Sequence, residues 1–326
     1  RDYSLDTLPT LLKTTDGNHY SRFPINFVNS RNQNIVGSLY KDVSKDIMSG
    51  GPCVIYIHGN ASCQIEGLFL VPNLCQHGIS IFLYDCAGCG QSTGDYISLG
   101  LFESLDLKSL LNHLETSYQL GPFILWGRSM GASTVIMTQY PSVCGIIADS
   151  TFSTLTEIIF TVMKQLGMPT ILNKFVLFLI NMAVHDCANF NIWKVCPIEY
   201  AKKGCNPPLI MGHAIDDSFI PISQAKKVYD VYSNLNKTFI EFANGHNGIR
   251  NYHWYHSCYS FIFQRFNIFN VTPTYVNCLS IQQEMHFDNA VDLMNYQENH
   301  SEEHCIISDD VIPSLMITEP IEPDSS

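Results

Sequence analysis

The sequence predicts an α/β fold with a mostly parallel central sheet and helices on both faces. Three observations support this prediction: short apolar runs recur along the chain, helical segments separate them, and one long helical stretch interrupts the alternation. Continuous apolar runs are typical of strands that are buried on both faces, because a strand with one solvated face alternates apolar and polar residues.

The predicted strands begin with a hairpin over residues 23–28 and 34–40. Six buried runs follow, at residues 53–58, 79–84, 122–126, 144–148, 209–211 and 238–242. Helical segments lie between them, over about residues 64–77, 103–115 and 133–140. This order is typical of a doubly wound α/β sheet.

Residues 153–206 break the alternation, and we expect them to form a helical cap over the sheet edge. Two apolar helical stretches, about 155–166 and 172–184, are separated by a break at 167–169. The longest apolar run, residues 175–184, is interrupted by Asn181 and is shorter than the roughly 18 residues that a membrane span needs. We therefore expect a buried or lid helix here and no transmembrane span.

The chain divides into a nearly neutral body, residues 1–266, and an acidic tail, residues 267–326. The whole chain has 18 basic and 30 acidic residues, and its formal charge is −12. The tail holds 11 acids and no Lys or Arg, so the body keeps 30 − 11 = 19 acids against 18 bases. The body therefore shows no bias towards nucleic acid, and the proline-containing tail has the composition of a disordered segment.

The 12 cysteines are scattered, and many lie inside apolar runs. This pattern predicts reduced, buried thiols in a cytoplasmic protein. Peripheral contact with a membrane surface is a separate expectation, which does not rest on the cysteines. Cys86 and Cys89 form a CxxC pair, but a zinc site would need a second such half, so we expect neither a metal nor an organic cofactor. The chain begins at Arg1 instead of Met, so its start gives no information about targeting.

A G-x-S-x-G motif, Gly127-Arg128-Ser129-Met130-Gly131, follows the run at 122–126 and precedes a helical segment. This is the context of a nucleophile elbow, in which a sharp turn presents the serine hydroxyl at the start of a helix. The motif predicts that Ser129 is a nucleophile.

A serine needs a base to accept its proton and a carboxylate to orient that base. In this arrangement the acid and then the histidine follow the serine along the chain, and His246 lies just past the last predicted strand. Asp216 and Asp217 both follow the strand before it, and physical reasoning alone does not choose between them. Asp149, one strand earlier, is a third candidate for the acid.

Two backbone N–H groups are expected to stabilise an oxyanion near Ser129. Met130 supplies the first at the start of the helix, and Asn60 supplies the second in the turn after the run at 53–58. The glycine-containing loop at residues 85–92 lacks GK[ST] and dinucleotide spacing, so we interpret it as a structural loop.

Together these motifs resemble the α/β-hydrolase proteins of the serine aminopeptidase S33 type, also called hydrolase-4. The protein depalmitoylases of the α/β-hydrolase-domain-17 type are relatives. The resemblance covers about residues 23–266 and rests on five ordered motifs, at 58–60, 85–92, 127–131, 212–220 and 245–250. It implies the α/β-hydrolase fold and assigns the acid to Asp217, two residues before Phe219-Ile220, with Asp216 in the variable position. Met130 departs from the Trp that follows the serine in true prolyl aminopeptidases, so a peptidase substrate is not implied.

The sequence therefore predicts a serine hydrolase that cleaves carboxylic esters or thioesters through a triad of Ser129, Asp217 and His246 and an acyl-enzyme. The expected partner is a small-molecule or acyl-protein substrate, because the apolar cap suits an acyl chain. One alternative is a peptidase of the serine aminopeptidase type. The other is an inactive binding protein of this fold, against which the intact triad argues.

Overall fold

The computed structural model describes residues 3, 8, 10–13, 17–269 and 271. In these residues, strands form one sheet in the order β1-β2-β3-β5-β4-β6-β7-β8-β9. The strands are β1 Leu11–Lys13, β2 His19–Val28, β3 Asn34–Asp42, β4 Gly51–Ile57, β5 Ser80–Tyr84, β6 Leu120–Arg128, β7 Val143–Asp149, β8 Leu209–Ala214 and β9 Lys237–Phe242. Most of the predicted acidic tail lies outside the described residues.

The helices are α1 Leu70–Cys75, α2 Leu101–Tyr118, α3 Met130–Met137, α4 Leu155–Gln165, α5 Asn173–Ala188, α6 Pro197–Ala201, α7 Ile222–Val231 and α8 Tyr252–Arg265. Short 3-10 helices cover Gln64–Gly67, Thr170–Leu172 and Ile192–Lys194.

The sheet is antiparallel at one side and parallel over the rest. The strands β1, β2, β3 and β5 pair antiparallel in that order. From β5 through β4, β6, β7 and β8 to β9, every pair is parallel. The predicted fold class is confirmed, including the opening hairpin.

Alternate side chains of the central strands enter two different cores, one on each face of the sheet. In β4, Cys53 and Ile55 belong to a core that also holds side chains of α2, α3 and α7. Val54 and Tyr56 belong to the opposite core, with side chains of α1 and α8. This alternation explains the continuous apolar runs, because both faces of each central strand are buried.

The predicted helix at residues 64–77 is the largest departure in the body. The structure has a 3-10 helix there, followed by the six-residue α1. Pro72 lies near the start of α1, where its missing N–H costs no helical hydrogen bond, so a regular helix begins only at Leu70.

The cap consists mainly of α4 and α5, which share a third apolar cluster with the loops beside the sheet edge. The buried members of that cluster are Phe152, Leu155, Ile158, Leu177, Phe190, Ile192, Val195 and Ile220. The last predicted cap residues behave differently, since α6 packs against α3 and α7 of the body.

A buried or a lid helix was expected at residues 172–184, and in the structure most of this helix is not buried, because Leu177 is the one buried residue of α5. The helical stretch Thr170–Ala188 has a mean hydropathy of 1.4 over its most apolar 18 residues, and only 6% of these residues are buried. By length and composition alone it could cross a membrane. The segment contains no unbroken apolar run of this length, because Lys174 and the asparagines interrupt it.

Candidate active site

Ser129 lies at a sharp turn between β6 and α3, with φ 54° and ψ −112°. Its backbone N–H donates to the Asp149 carbonyl at the end of the neighbouring strand, at 2.8 Å. A Cβ on Gly127 would overlap the carbonyl of Gly131, and a Cβ on Gly131 would overlap the carbonyl of Ile57. Both glycines are therefore required by close backbone approach, and the turn they permit places Ser129 at the N-terminus of α3.

The three residues of the predicted triad lie together and in the expected order of contact. Ser129 Oγ is 3.0 Å from His246 Nε2, and His246 Nδ1 is 2.6 Å from Asp217 Oδ2. The Asp217 side chain is fully buried, while 12% of the His246 side chain is exposed. The hydroxyl therefore faces a base that a buried carboxylate orients.

The Asp217 carboxylate is held by its own loop and by a second histidine. Its Oδ1 accepts hydrogen bonds from the backbone N–H groups of Phe219 at 2.9 Å and Ile220 at 2.8 Å. Burial alone would raise the pKa of Asp217, but hydrogen bonds from His213 and His246, the charge of His246 and the Ile220 N–H outweigh it. The pKa of Asp217 is therefore held well below its ordinary value, and the carboxylate stays ionised.

His213 is a site residue that the sequence analysis missed. Its side chain is fully buried, and its Nε2 lies 2.7 Å from the Ile220 carbonyl and 3.3 Å from Asp217 Oδ2. A carbonyl only accepts, so Nε2 carries the proton and also faces the carboxylate. The available signal was its place at the end of the run before the acid, in a chain with 12 histidines.

The other two candidates for the acid, Asp216 and Asp149, bind partners other than the imidazole. Asp216 is exposed, and its carboxylate accepts from the backbone N–H groups of Gly245 at 2.9 Å and Asn244 at 3.3 Å. Asp149 is buried, and its carboxylate accepts a hydrogen bond from Arg250 Nε at 2.9 Å. Asp216 therefore contacts the backbone of the histidine loop and Asp149 pairs with an arginine, while Asp217 meets the imidazole.

Arg250 joins the end of β7 to the loop that carries His246. Besides Asp149, its guanidinium donates to the carbonyls of His246 at 2.9 Å, Gly248 at 2.8 Å and Gly245 at 3.1 Å. Burial would raise the pKa of Asp149, but the charge and hydrogen bonds of Arg250 hold it below its ordinary value. In the sequence, Arg250 is visible only as the end of the motif at residues 245–250, which indicates no role for it.

The turn that is expected to supply the second backbone N–H for the oxyanion lies close to Ser129. A Cβ on Gly59 would be 3.9 Å from Ser129 Cβ. The Gly59 N–H donates to Glu66 Oε2 at 3.1 Å, and the hydroxyl of Tyr56 donates to Glu66 Oε1 at 2.8 Å. Glu66, which no sequence motif indicated, therefore orients the segment that leads into the turn at the exposed Asn60.

Met130, the other predicted donor, is buried and is the first residue of α3. The first N–H groups of a helix have no partner within the helix and favour negative charge. The Met130 N–H thus directly follows the serine at a helix N-terminus.

The CxxC pair lies beside the site without forming one. Cys86 and Cys89 are both buried, and burial raises the pKa of Cys86. The Cys86 N–H donates to His58 Nε2 at 3.0 Å. In the described part of the chain, no group of three or more His, Cys, Asp or Glu side chains could hold a metal ion.

Comparison with known proteins places the chain among relatives of this architecture. Residues 52–185 match the family described as serine aminopeptidase, S33. An uncharacterized membrane protein of Saccharomyces cerevisiae is 26% identical over 177 residues, 52% of this chain and 55% of the yeast protein. Human protein ABHD12B is 25% identical over 199 residues, 58% of this chain and 52% of its own length. The chain thus spans about half the length of these curated relatives.

Solved structures share the fold at low sequence identity. The esterase Pf2001 of Pyrococcus furiosus superposes with a TM-score of 0.57 at 19% identity, covering 76% of this chain and 92% of the esterase.

Proposed function

Because this chain belongs to the α/β-hydrolase superfamily, we propose that it is a serine hydrolase that cleaves carboxylic esters or thioesters. One observation carries the proposal: the continuous contact from Ser129 Oγ through His246 to the buried Asp217, at 3.0 Å and 2.6 Å. A serine hydroxyl reacts with an acyl carbon at neutral pH only when such a base accepts its proton.

In the proposed reaction, Ser129 Oγ attacks the acyl carbonyl while His246 Nε2 accepts the hydroxyl proton. Asp217 accepts the Nδ1–H of His246, which keeps the ring in the right tautomer and stabilises the imidazolium. His246 then donates a proton to the departing alcohol or thiol. Water, deprotonated by the same imidazole, hydrolyses the acyl-enzyme and restores the serine.

The oxyanion of each tetrahedral intermediate is proposed to accept hydrogen bonds from the N–H groups of Met130 and Asn60. The position of Met130 at the first turn of α3 supports the first of these roles. The second is supported by the place of Gly59 beside Ser129, where an added Cβ would lie 3.9 Å from Ser129 Cβ, and by the anchoring of Gly59 by Glu66. Loss of one such donor typically costs about 10²–10³ in kcat.

An acyl substrate is favoured over a peptide by the apolar surface beside the site. The Phe219 ring is 5.2 Å from the His246 ring, and 46% of Phe219 is exposed. Ile220, next in the chain, belongs to the apolar cluster of the cap. Pf2001 and other structural neighbours are named as esterases. The family name favours the second candidate, an aminopeptidase.

Contact with a membrane surface is part of the proposal for where the protein works. The matched yeast relative is named as a membrane protein, and the apolar face of α5 is open to solvent.

The proposal is tested with a fluorophosphonate probe and with substrate pairs. We expect the probe to label Ser129 covalently and Ser129→Ala to abolish labelling with a loss of about 10⁶ in kcat, while the melting temperature is unchanged. Ser133→Ala is the matched control, because Ser133 lies one turn away in α3 and should leave labelling intact. Labelling that persists in Ser129→Ala would overturn the assignment.

Substrate class is settled by comparing p-nitrophenyl esters and acyl thioesters of increasing chain length with aminoacyl anilides. We expect turnover of the esters and thioesters to exceed that of the anilides. Anilide turnover above ester turnover would favour the aminopeptidase, and no turnover or labelling of any kind would favour an inactive binding protein.

A further inference from the structure

The cap helix α5 and the 3-10 turn before it present an apolar stripe to solvent, which we call the outer face. Its members recur at intervals of one, three or four residues and therefore share one side of the helix. They are Ile171, Leu172, Phe175, Phe178, Leu179 and Met182. The opposite side, with the buried Leu177, packs into the cap cluster. The helix is thus apolar on both sides, and only one side is covered.

The exposure of the outer face is large for such side chains. Ile171 is 88% exposed, Phe175 is 61% exposed, and Phe178 and Met182 are each 52% exposed. A helix that is apolar all round is normally buried in a core or in lipid, and large exposed apolar patches mark interaction sites. The outer face is therefore expected to meet an apolar partner.

Within the segment of the outer face the charge is positive, and an exposed acid, Asp186, lies one turn after Met182. From residue 166 to residue 184 the one charged side chain is Lys174, and Lys164 lies just before this segment. Both lysines are exposed, and the first acid after the stripe is Asp186. Lysines with apolar stems beside an apolar stripe match a lipid interface, where the ammonium groups reach the phosphates while the stems follow the acyl boundary.

We propose that the outer face of α5 docks in the plane of an anionic phospholipid surface. A second copy of the chain is the competing occupant, and the exposed Lys174 beside the stripe favours anionic phospholipid over it. The helix lies on the surface and does not span it, because its inner side is held in the cap cluster through Leu177.

Docking would bring the catalytic loop close to the lipid surface. Gln165, at the end of α4, donates its side-chain amide to the Ser218 carbonyl at 2.9 Å. Ser218 directly follows Asp217, so the cap hairpin and the loop of the acid are tied together. Docking does not depend on the proposed hydrolase activity. Only the delivery of a membrane-borne acyl substrate to Ser129 rests on the proposed function.

The test is co-sedimentation of the full chain with vesicles of phosphatidylcholine and phosphatidylserine in equal amounts. We expect Phe175→Gln/Phe178→Gln to weaken vesicle binding by at least about tenfold. The matched control is Val28→Gln/Leu235→Gln, which removes two apolar side chains that are at least as exposed, 62% and 91%, elsewhere on the surface. The control should bind like the parent, and all forms should keep the same melting temperature.

Two further variants separate the parts of the proposal. Lys164→Gln/Lys174→Gln should lower binding to these vesicles by about fivefold per lysine and have little effect with pure phosphatidylcholine. Ser129→Ala should bind like the parent, so docking and catalysis fail separately. Equal binding of the parent and the Phe175/Phe178 variant, or no binding together with a dimer that this variant dissociates, would overturn the proposal.

Discussion

Ser129 occupies a backbone conformation that costs of the order of 1–3 kcal/mol for a non-glycine residue. The surrounding backbone holds it there, since its N–H is bonded to the Asp149 carbonyl and Gly131 packs directly on the end of β4. The sequence predicted this turn well because the two glycines have a single purpose, which is to let backbone segments approach where a Cβ would collide. The direction of the hydroxyl is therefore set before any substrate arrives.

The identity of the acid was not decidable from the residues alone, because Asp216 and Asp217 are adjacent and chemically identical. Burial and direction distinguish them: Asp217 is buried against the His246 ring, whereas Asp216 is exposed and bonded to backbone N–H groups. Only the path of the loop decides which carboxylate turns inward. His213 was missed for a related reason, since its function depends on contacts made within the folded loop.

The first mutational prediction concerns this pair. We expect Asp217→Asn to reduce kcat by about 10⁴, because the amide no longer selects the tautomer of His246 that can accept the serine proton. Asp216→Asn, the matched control, should lower kcat far less, because it contacts only the backbone of residues 244 and 245. The measurement is steady-state ester hydrolysis, and the reverse order of the two effects would assign the acid to Asp216.

At the scale of elements, the β9–α8 loop that carries His246 is held mainly by Arg250, while Arg128 also donates to the His246 carbonyl at 3.3 Å. Arg250 bonds to three carbonyls of the loop and to Asp149 at the end of β7. The strands were predictable because both of their faces are buried, but this link joins residues 101 positions apart in sequence. No local pattern indicates it.

The second prediction tests that link. Asp149→Asn leaves the Arg250 guanidinium buried without its counter-charge, and we expect it to lower the free energy of unfolding by about 3 kcal/mol at pH 7. The pKa of Asp149 is lowered in the folded protein, so its stabilising effect is present above the ordinary carboxyl pKa of about 3.9 and is lost as the pH falls through the lower folded value.

Urea denaturation from pH 7 down to pH 3 measures this effect. The difference between the parent and Asp149→Asn should shrink only below about pH 4. The control is Glu241→Gln, which removes a half-exposed ion pair with Lys226 and should change stability by less than about 1 kcal/mol. A difference that is equally large at pH 7 and at the acid limit would mean that the Asp149 charge is not the cause.

At the scale of the whole molecule, the body is a sheet between two cores, with a cap on one edge and an acidic tail in the sequence. The apolar runs predicted the sheet correctly because strands buried on both faces leave a strong apolar signal. For α5 the same signal left a buried helix and a lid helix as alternatives. Apolar composition alone does not distinguish a helix that is covered by the protein from one whose outer face is left for another surface.

The last prediction concerns residues 272–326, which lie outside the described part of the chain. A chain that ends after Val271 keeps the contacts of Ile268 and Val271 with the core beside α8, and every proposed catalytic residue precedes that end. The removed segment is acidic and rich in polar residues, so little apolar burial offsets the entropy of ordering it.

We expect unchanged ester hydrolysis and an unchanged melting temperature. A fall of more than about 5 °C, or roughly 1–2 kcal/mol for a domain of this size, would show that the tail packs on the body, and lost fluorophosphonate labelling at Ser129 would show that it supports the site.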